Sequence, residues 1–259
     1  MIGIDGRAYP IPTQEQVVEL FAHNRELVGR KVPQGFDRLE LTPMAMPTPL
    51  LLDRMKAALL THAAEGKMYQ TRRSPSDPFI PVRVNTEKPV WIWDTLRQAL
   101  DTDELVYFPQ EYSSNHRGQT KLEVVKNGRM CAVPGWSVGL VERLPVMPEQ
   151  GRGETFGGRR QLEIGSSPRD YLRTLQTQAY QGETGKTLED FIIKFLNHLE
   201  IIGSNRMVKG FNRETLVQPL EQAGAADNVW PKPRDIQFRG ENGCRHGLFV
   251  SQCGQGHSQ

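Results

Sequence analysis

Four residues near the C-terminus have the chemistry of a metal site. Cys244-Arg-His246 and Cys253-Gly-Gln-Gly-His257 make a C-x-H-x6-C-x3-H arrangement. Thiolate and imidazole are the ligands zinc prefers, and four of them this close in sequence can enclose it tetrahedrally. The spacing departs from the common C-x2-C and H-x3-H knuckles. The chain has only three cysteines and six histidines, so their gathering here sets a zinc-bound tail against a flexible, unliganded one.

A second group of residues points to phosphate. Gly182-Glu-Thr-Gly185-Lys186-Thr187 ends as a phosphate loop ends, but the full pattern puts glycine at position 180, where this chain has Tyr180. It also needs a buried strand immediately upstream, and Ser167–Tyr180 reads as helix. Loop amides converge on a phosphate from a strand-to-helix turn, so Gly182–Lys186 is read as an inter-helix loop with Thr187 as cap. Glu149–Arg160, EQGRGETFGGRR, holds four glycines and three arginines. Its backbone N–H groups can cradle an anion, although glycine serves plain loop geometry as well. The phosphate-binding set is therefore Arg159, Arg160, Gly185 and Lys186, and it would belong to a nucleotide- or phosphate-handling enzyme.

A third candidate is the basic, proline-rich stretch 67–89, with Lys67, Arg72, Arg73 and Arg83. Its bland reading is a solvated excursion across the surface. Its sharper reading is a nucleic-acid contact strip with Tyr69 and Phe79 as stacking platforms, which makes a nucleic-acid-binding protein with a zinc-bound tail the second rival. No G-x-S-x-G elbow, H-E-x-x-H helix or G-x-G-x-x-G turn is present. Cys131 has no histidine near it in sequence and behaves as a small hydrophobe. His198 sits beside an apolar stripe and reads as a satisfied, partly buried histidine. Asp101, Asp103 and Glu104 read as a turn.

These residues must be positioned by elements, and the stretch Lys121–Pro148 is expected to be central. Val124, Val125, Met130, Ala132 and Val133 flank Asn127-Gly128. An Asn-Gly pair between apolar runs is a strong hairpin signal, because both residues accept the positive φ of a type I′ turn. With Pro134-Gly135 and the run Trp136–Val141, this predicts a three-stranded antiparallel meander with Cys131 and Trp136 in its core. Around it, Thr13 and Gln16 form a capping box for a helix running to Gly29. Phe36–Leu41 alternates as a half-buried strand, and Thr48-Pro49 opens a helix ended by Gly66. Val90–Leu100 is a helix after an extended start, and Leu105–Phe108 a compact strand. Gln161–Ile164 pairs briefly with the sheet. Ser167-Pro168 opens one helix, Thr187 and Asp190 open the strongly amphipathic Leu188–Leu199, and Asn212 caps a weaker helix to about Ala223.

Composition fits a globular chain: 259 residues, 37% hydrophobic, 24% charged, net charge +2 from 32 basic and 30 acidic residues. Near-neutral charge does not call for a polyanionic partner. No apolar run approaches the roughly 18–20 residues of a membrane span, and the N-terminus lacks the basic-then-apolar layout of a secretory signal. An odd cysteine count makes no disulfide framework, so a reducing, cytoplasmic setting is expected.

CAVPGWSVGLVE (131–142), GGRRQLE (157–163), SPRDYLRTL (167–175) and YQGETGKTLEDFIIKFLNHLE (180–200) resemble a group of uncharacterised proteins from metagenomic, small-genome bacteria. Some members continue into a C-terminal lectin-like module of the kind varied by diversity-generating retroelements. The resemblance spans residues 10–200 and implies ligand display. This chain departs in Ala225–Gln259, which carries no recognisable variable ligand-binding face. The sequence is thus expected to form an α+β domain over residues 1–224, a mixed, mainly antiparallel sheet flanked by helices, with residues 225–259 a peripheral tail. The preferred function is a non-catalytic binding or scaffold protein of unknown ligand or protein partner.

Overall fold

Helix starts in this chain are written in its capping residues. In the computed structural model, which describes residues 1–68, 76, 78, 80–81, 83–92, 94–101, 105–111, 113, 115–128, 133–142, 147–202, 236–239 and 245–246, Thr13 and Gln16 exchange the two bonds of a capping box ahead of α1 (Gln14–His23). The helix expected to continue to Gly29 breaks at Asn24, which leaves the helical region at φ −104° and ψ 23° and whose side-chain Nδ2 donates to the Leu20 carbonyl, and α2 (Arg25–Lys31) follows. Strand β1 (Phe36–Thr42) comes next, then α3 (Thr48–Ala64) with proline in its first turn and Gly66 in the left-handed conformation beyond its end. A short strand β2 (Trp91–Ile92) leads into α4 (Asp94–Asp101).

The expected meander is not formed. Lys121–Asn127 is a helix, α5. Thr120 Oγ1 accepts from the Glu123 amide and the Glu123 carboxylate accepts from the Thr120 amide, a complete capping box, and Gly128 closes the helix at φ +62°. Asn-Gly suits a hairpin turn and a helix C-terminus equally, since both need positive φ. The upstream Thr-x-x-Glu decides for the helix. Adjacent Val124 and Val125, read as strand residues, are both buried because α5 lies between two apolar clusters: Val124 enters the main core and Val125 packs with Tyr9 and Ala45. Residues 129–132, including Cys131, lie outside the described residues. Trp136 is half-buried rather than interior, and its indole N–H donates to the Pro10 carbonyl at 2.7 Å.

Strand β3 (Ser137–Glu142) pairs antiparallel with β1, from Arg38 opposite Val141 to Thr42 opposite Ser137. A glycine-turned hairpin follows, β4 (Thr155–Phe156) with β5 (Arg159–Arg160), in which Gly157 and Gly158 both take positive φ. Gln161 adds one bond to Glu154 beyond it instead of joining a larger sheet. Leu105–Phe108 contributes a single bridge, Tyr107 to Gln119, in place of the expected strand. Ser167 caps α6 (Pro168–Leu175), and Thr187 with Asp190 caps α7 (Leu188–Ile202). Finally β6 (Ile236–Arg239) pairs with β2 and with β7 (Arg245–His246). The chain is α+β, and every strand pairing among the described residues is antiparallel. No helix among them is long and apolar enough to cross a membrane. The weak helix expected after Asn212 lies outside the described residues.

The core is helical. Leu51, Leu52, Met55 and Leu59 of α3 meet Leu188, Phe191, Ile192, Phe195 and Leu199 of α7, with Ile92, Leu96, Leu105 and Val124 completing the cluster. Within it lies an ion pair. Lys121 Nζ is 2.9 Å from Glu189 Oε1, and the two side chains are 4% and 0% exposed. Lys121 also donates to Thr48 Oγ1 at 2.8 Å and to the Met46 carbonyl, while Thr48 and Tyr107 donate their hydroxyls to Glu189 Oε1. Burial alone would raise the Glu189 carboxyl, but the Lys121 ammonium and the Thr48 hydroxyl outweigh it and hold the group below its ordinary value.

The reassignment of α5 is open to a direct check. Thr120→Ala removes a cap and should cost about 1 kcal/mol, with faster amide exchange at Val124–Asn127. A hairpin at Asn127-Gly128 would leave the Thr120 substitution nearly silent in urea denaturation.

Candidate functional site

In the glycine-rich loop two backbone amides hold an anion that belongs to the chain itself, the Glu163 carboxylate. Gly151 N–H donates to Glu163 Oε2 at 2.6 Å, and Gly153 N–H donates to Oε1 at 2.9 Å. Arg160 adds Nε at 3.1 Å and Nη2 at 2.6 Å on Oε1. The Gly151 amide, the Arg160 guanidinium and the Gly153 amide together hold the Glu163 carboxyl down to about 2. The hydroxyls of Tyr171 and Tyr180 fix the flanking backbone by donating to the carbonyls of Glu163 and Arg160.

Arg159 points the other way, into protein. Its side chain is 3% exposed and bidentate to Glu183, Nε to Oε1 at 2.8 Å and Nη2 to Oε2 at 2.7 Å, with Nη1 on Glu142 at 2.6 Å. Lys31 reaches the same Glu183 at 2.6 Å. The guanidinium stacks 4.8 Å from the Phe36 ring centre and 5.1 Å from that of Tyr180. Burial would lower this group, yet the Glu183 hydrogen bonds and the Glu142 charge raise it further. Lys186 binds Glu40 at 2.8 Å. Of the predicted phosphate set, Arg159, Arg160 and Lys186 thus engage different internal carboxylates. Gly185 lies in the connection ahead of α7, which follows a 3-10 turn at Gln178–Tyr180 and no strand. The structure does not bring the four to one anion.

Cys244, Cys253 and His257 lie outside the described residues. His246 is placed only through its backbone, in β7 opposite Phe238. Among the described residues no three His, Cys, Asp or Glu side chains gather as a metal site. In the basic strip, Lys67 pairs with Glu65 at 2.6 Å, while Tyr69, Arg72, Arg73 and Phe79 are outside the description. His116 is half-buried and accepts from the Gly118 amide at 3.0 Å.

What sequence reasoning missed is a cleft of about 510 Å³ between α3, α4 and residues 87–92. Asn85 precedes the lining segment, and its Oδ1 accepts from the amides of Glu87 and Lys88 at 3.0 and 3.1 Å, a side-chain-closed turn just ahead of Pro89 and Val90. Leu52, Val90, Ile92 and Leu100 with Pro49 and Pro89 form the apolar lining. The rim alternates in sign, with Lys56, Lys88 and Arg97 among Asp53, Glu87 and Asp94. Only Lys56 and Asp53 are joined to each other, at 2.7 Å. The one sequence signal for this feature was turn chemistry at Asn85 inside a stretch read as an excursion.

No family model, curated protein or solved structure matches the chain.

The Glu163 cradle fixes a pH dependence. The folded carboxyl titrates near 2, against about 4.3 for a free glutamate, so its contribution is complete above the unfolded value and lost as pH falls towards the folded one. In urea denaturation, Glu163→Gln should therefore lie below the wild type by a constant margin from pH 5 upward, and the two should converge near pH 2. A margin unchanged across that range would remove the cradle from the account.

Proposed function

We propose that the chain is a non-catalytic binding protein whose ligand occupies the cleft between α3 and α4. The observation that supports this most is the cleft's composition: an apolar lining with a charged rim, on a scale of about 510 Å³. Pockets of that size bury most of a drug-sized molecule, drawing affinity from the apolar lining and orientation from a few polar groups. Binding of this kind needs no reacting group. The chain's strongest buried charges point to the same reading, because Lys31, Lys121 and Arg159 are each bonded to an internal carboxylate and tie elements together. The resemblance to proteins that continue into lectin-like modules fits a binding role as well.

The ligand suited to this lining has a compact apolar body and an ionised end. Lys88 and Arg97 flank the opening and offer that end a pair of cations. A fluorescent apolar sulfonate, 1-anilinonaphthalene-8-sulfonate, is a fitting probe. It should bind the native chain with one-to-one stoichiometry, and Lys88→Glu with Arg97→Glu should weaken it at least about tenfold, each lost charge contact being worth on the order of 1 kcal/mol. Binding that is unsaturable, or indifferent to both changes, contradicts the cleft as the site. Turnover of a substrate class abolished by one point change would contradict the non-catalytic assignment separately.

A further inference from the structure

The β1–β3 ribbon has an unpaired edge. Among the described residues β1 has one strand neighbour, β3, so no strand pairs with its far side. Edges of this kind template a further strand unless charge, proline or a covering element blocks them. Asp37, Arg38 and Leu39 are exposed one after another. Successive side chains of a strand point to opposite faces, so three exposed in a row leave both faces open along this part of β1. Leu39, at the middle of the seven-residue strand, is 47% exposed. The one register shift falls between Phe36 and Arg38, so the regular ladder with β3 runs from Arg38 to Thr42.

The ribbon's two faces differ. Arg38, Glu40 and Thr42 share one, on which Lys186, just ahead of α7, holds Glu40 Oε1 at 2.8 Å. Leu39 and Leu41 share the other with their opposed residues Leu140 and Val138. Arg38 makes no ion pair among the described residues, and Glu40 Oε2 makes no bond among them.

This edge is complementary to itself. When two copies of β1 pair antiparallel about Leu39, Leu39 stands opposite Leu39, Arg38 opposite Glu40 and Asp37 opposite Leu41. Centring the pairing on Arg38 or on Glu40 sets like charges opposite one another, which is destabilising. Leu39 is also the midpoint of Phe36–Thr42, so the favoured register uses the whole strand. Opposite charges placed evenly about the midpoint are what a second copy needs and an unrelated peptide does not.

We propose that β1 is the contact edge of a two-fold homodimer, in which the two β1 strands pair antiparallel about Leu39 and the ribbons join as one four-stranded sheet. Symmetry makes the Arg38–Glu40 contact twice. The apolar row of Leu140 and Leu39 continues across the axis into its copy. One strand edge is a small interface, so the association is weak and concentration-dependent. This inference is independent of the cleft.

Sedimentation equilibrium of the full chain should show monomer and dimer exchanging with concentration. Amide exchange across Asp37–Leu41 of the wild type should slow as concentration rises, a readout that needs no variant. Opposed residues of an antiparallel pair lie within disulfide range. Leu39→Cys should therefore oxidise to a dimer whose bridge maps by mass spectrometry to position 39 of both chains. Asp37→Cys should not, because position 37 of one chain faces position 41 of the other. Arg38→Glu sets like charges opposite at both symmetric contacts and should weaken the dimer at least about tenfold. Arg54→Glu, the same charge change at an exposed position of α3, should leave it unchanged. A chain that stays monomeric up to about 1 mM overturns the proposal and leaves the edge to an extended peptide of a different protein. A dimer indifferent to Arg38→Glu, or one that bridges through position 37 and not 39, overturns it as well and places the contact elsewhere.

Discussion

The buried contact between Lys121 and Glu189 is the constraint on which the remaining architecture rests. Thr48 is the first residue of α3, Lys121 the first of α5, and Glu189 the second of α7. Three helix starts therefore converge on one carboxylate, and Tyr107 supplies a fourth strand of chain. Helix N-termini carry partial positive charge and favour an anion, which helps explain how Glu189 stays ionised at 0% exposure. Such a pair adds little net stability over apolar residues of the same volume, because desolvation consumes most of the attraction. What it provides is geometry: a mis-set α5 leaves a charge buried without its partner, so α3, α5 and α7 have one low-energy arrangement.

The same logic runs outward from that pair. Arg159 with Glu183 and Glu142 joins β5 to the loop after the 3-10 turn and to β3, Lys31 brings α2 to Glu183, and Lys186 fastens the start of α7 to β1. Glu163 fills the glycine-rich loop, where the Gly151 and Gly153 amides converge on it. Features that in isolation look like anion sites are thereby satisfied from within. Among the described residues, the mixed rim of the α3–α4 cleft carries charges of which only Lys56 and Asp53 are joined to each other. An external molecule has something to meet there.

Capping residues made much of this legible. Thr13 with Gln16, Ser167 with Pro168, and Thr187 with Asp190 each mark a helix start seen in the structure, and the apolar stripe of α7 is buried as its spacing requires. β1 was legible from alternation and β3 from the extended run Trp136–Val141, but their pairing was not, because partners about a hundred residues apart leave no local trace. Asn127-Gly128 misled because positive φ serves two structures, and the deciding Thr120 and Glu123 lie outside the dipeptide. Glu189 was hidden differently: an acidic residue in a first turn ordinarily complements the helix dipole from solvent, and nothing local says that this one faces Lys121. Glu163 and Glu183 were equally silent, since a carboxylate that quenches a basic loop reads in sequence as an ordinary surface charge.

A double-mutant cycle on the central pair, followed by urea denaturation, tests the account most directly. Lys121→Met and Glu189→Leu should each cost about 3–5 kcal/mol, because each strands a buried charge. Together they should cost far less than the sum, with a coupling of at least about 2 kcal/mol. Additive losses would contradict the claim that this ion pair is what sets α3, α5 and α7 against one another.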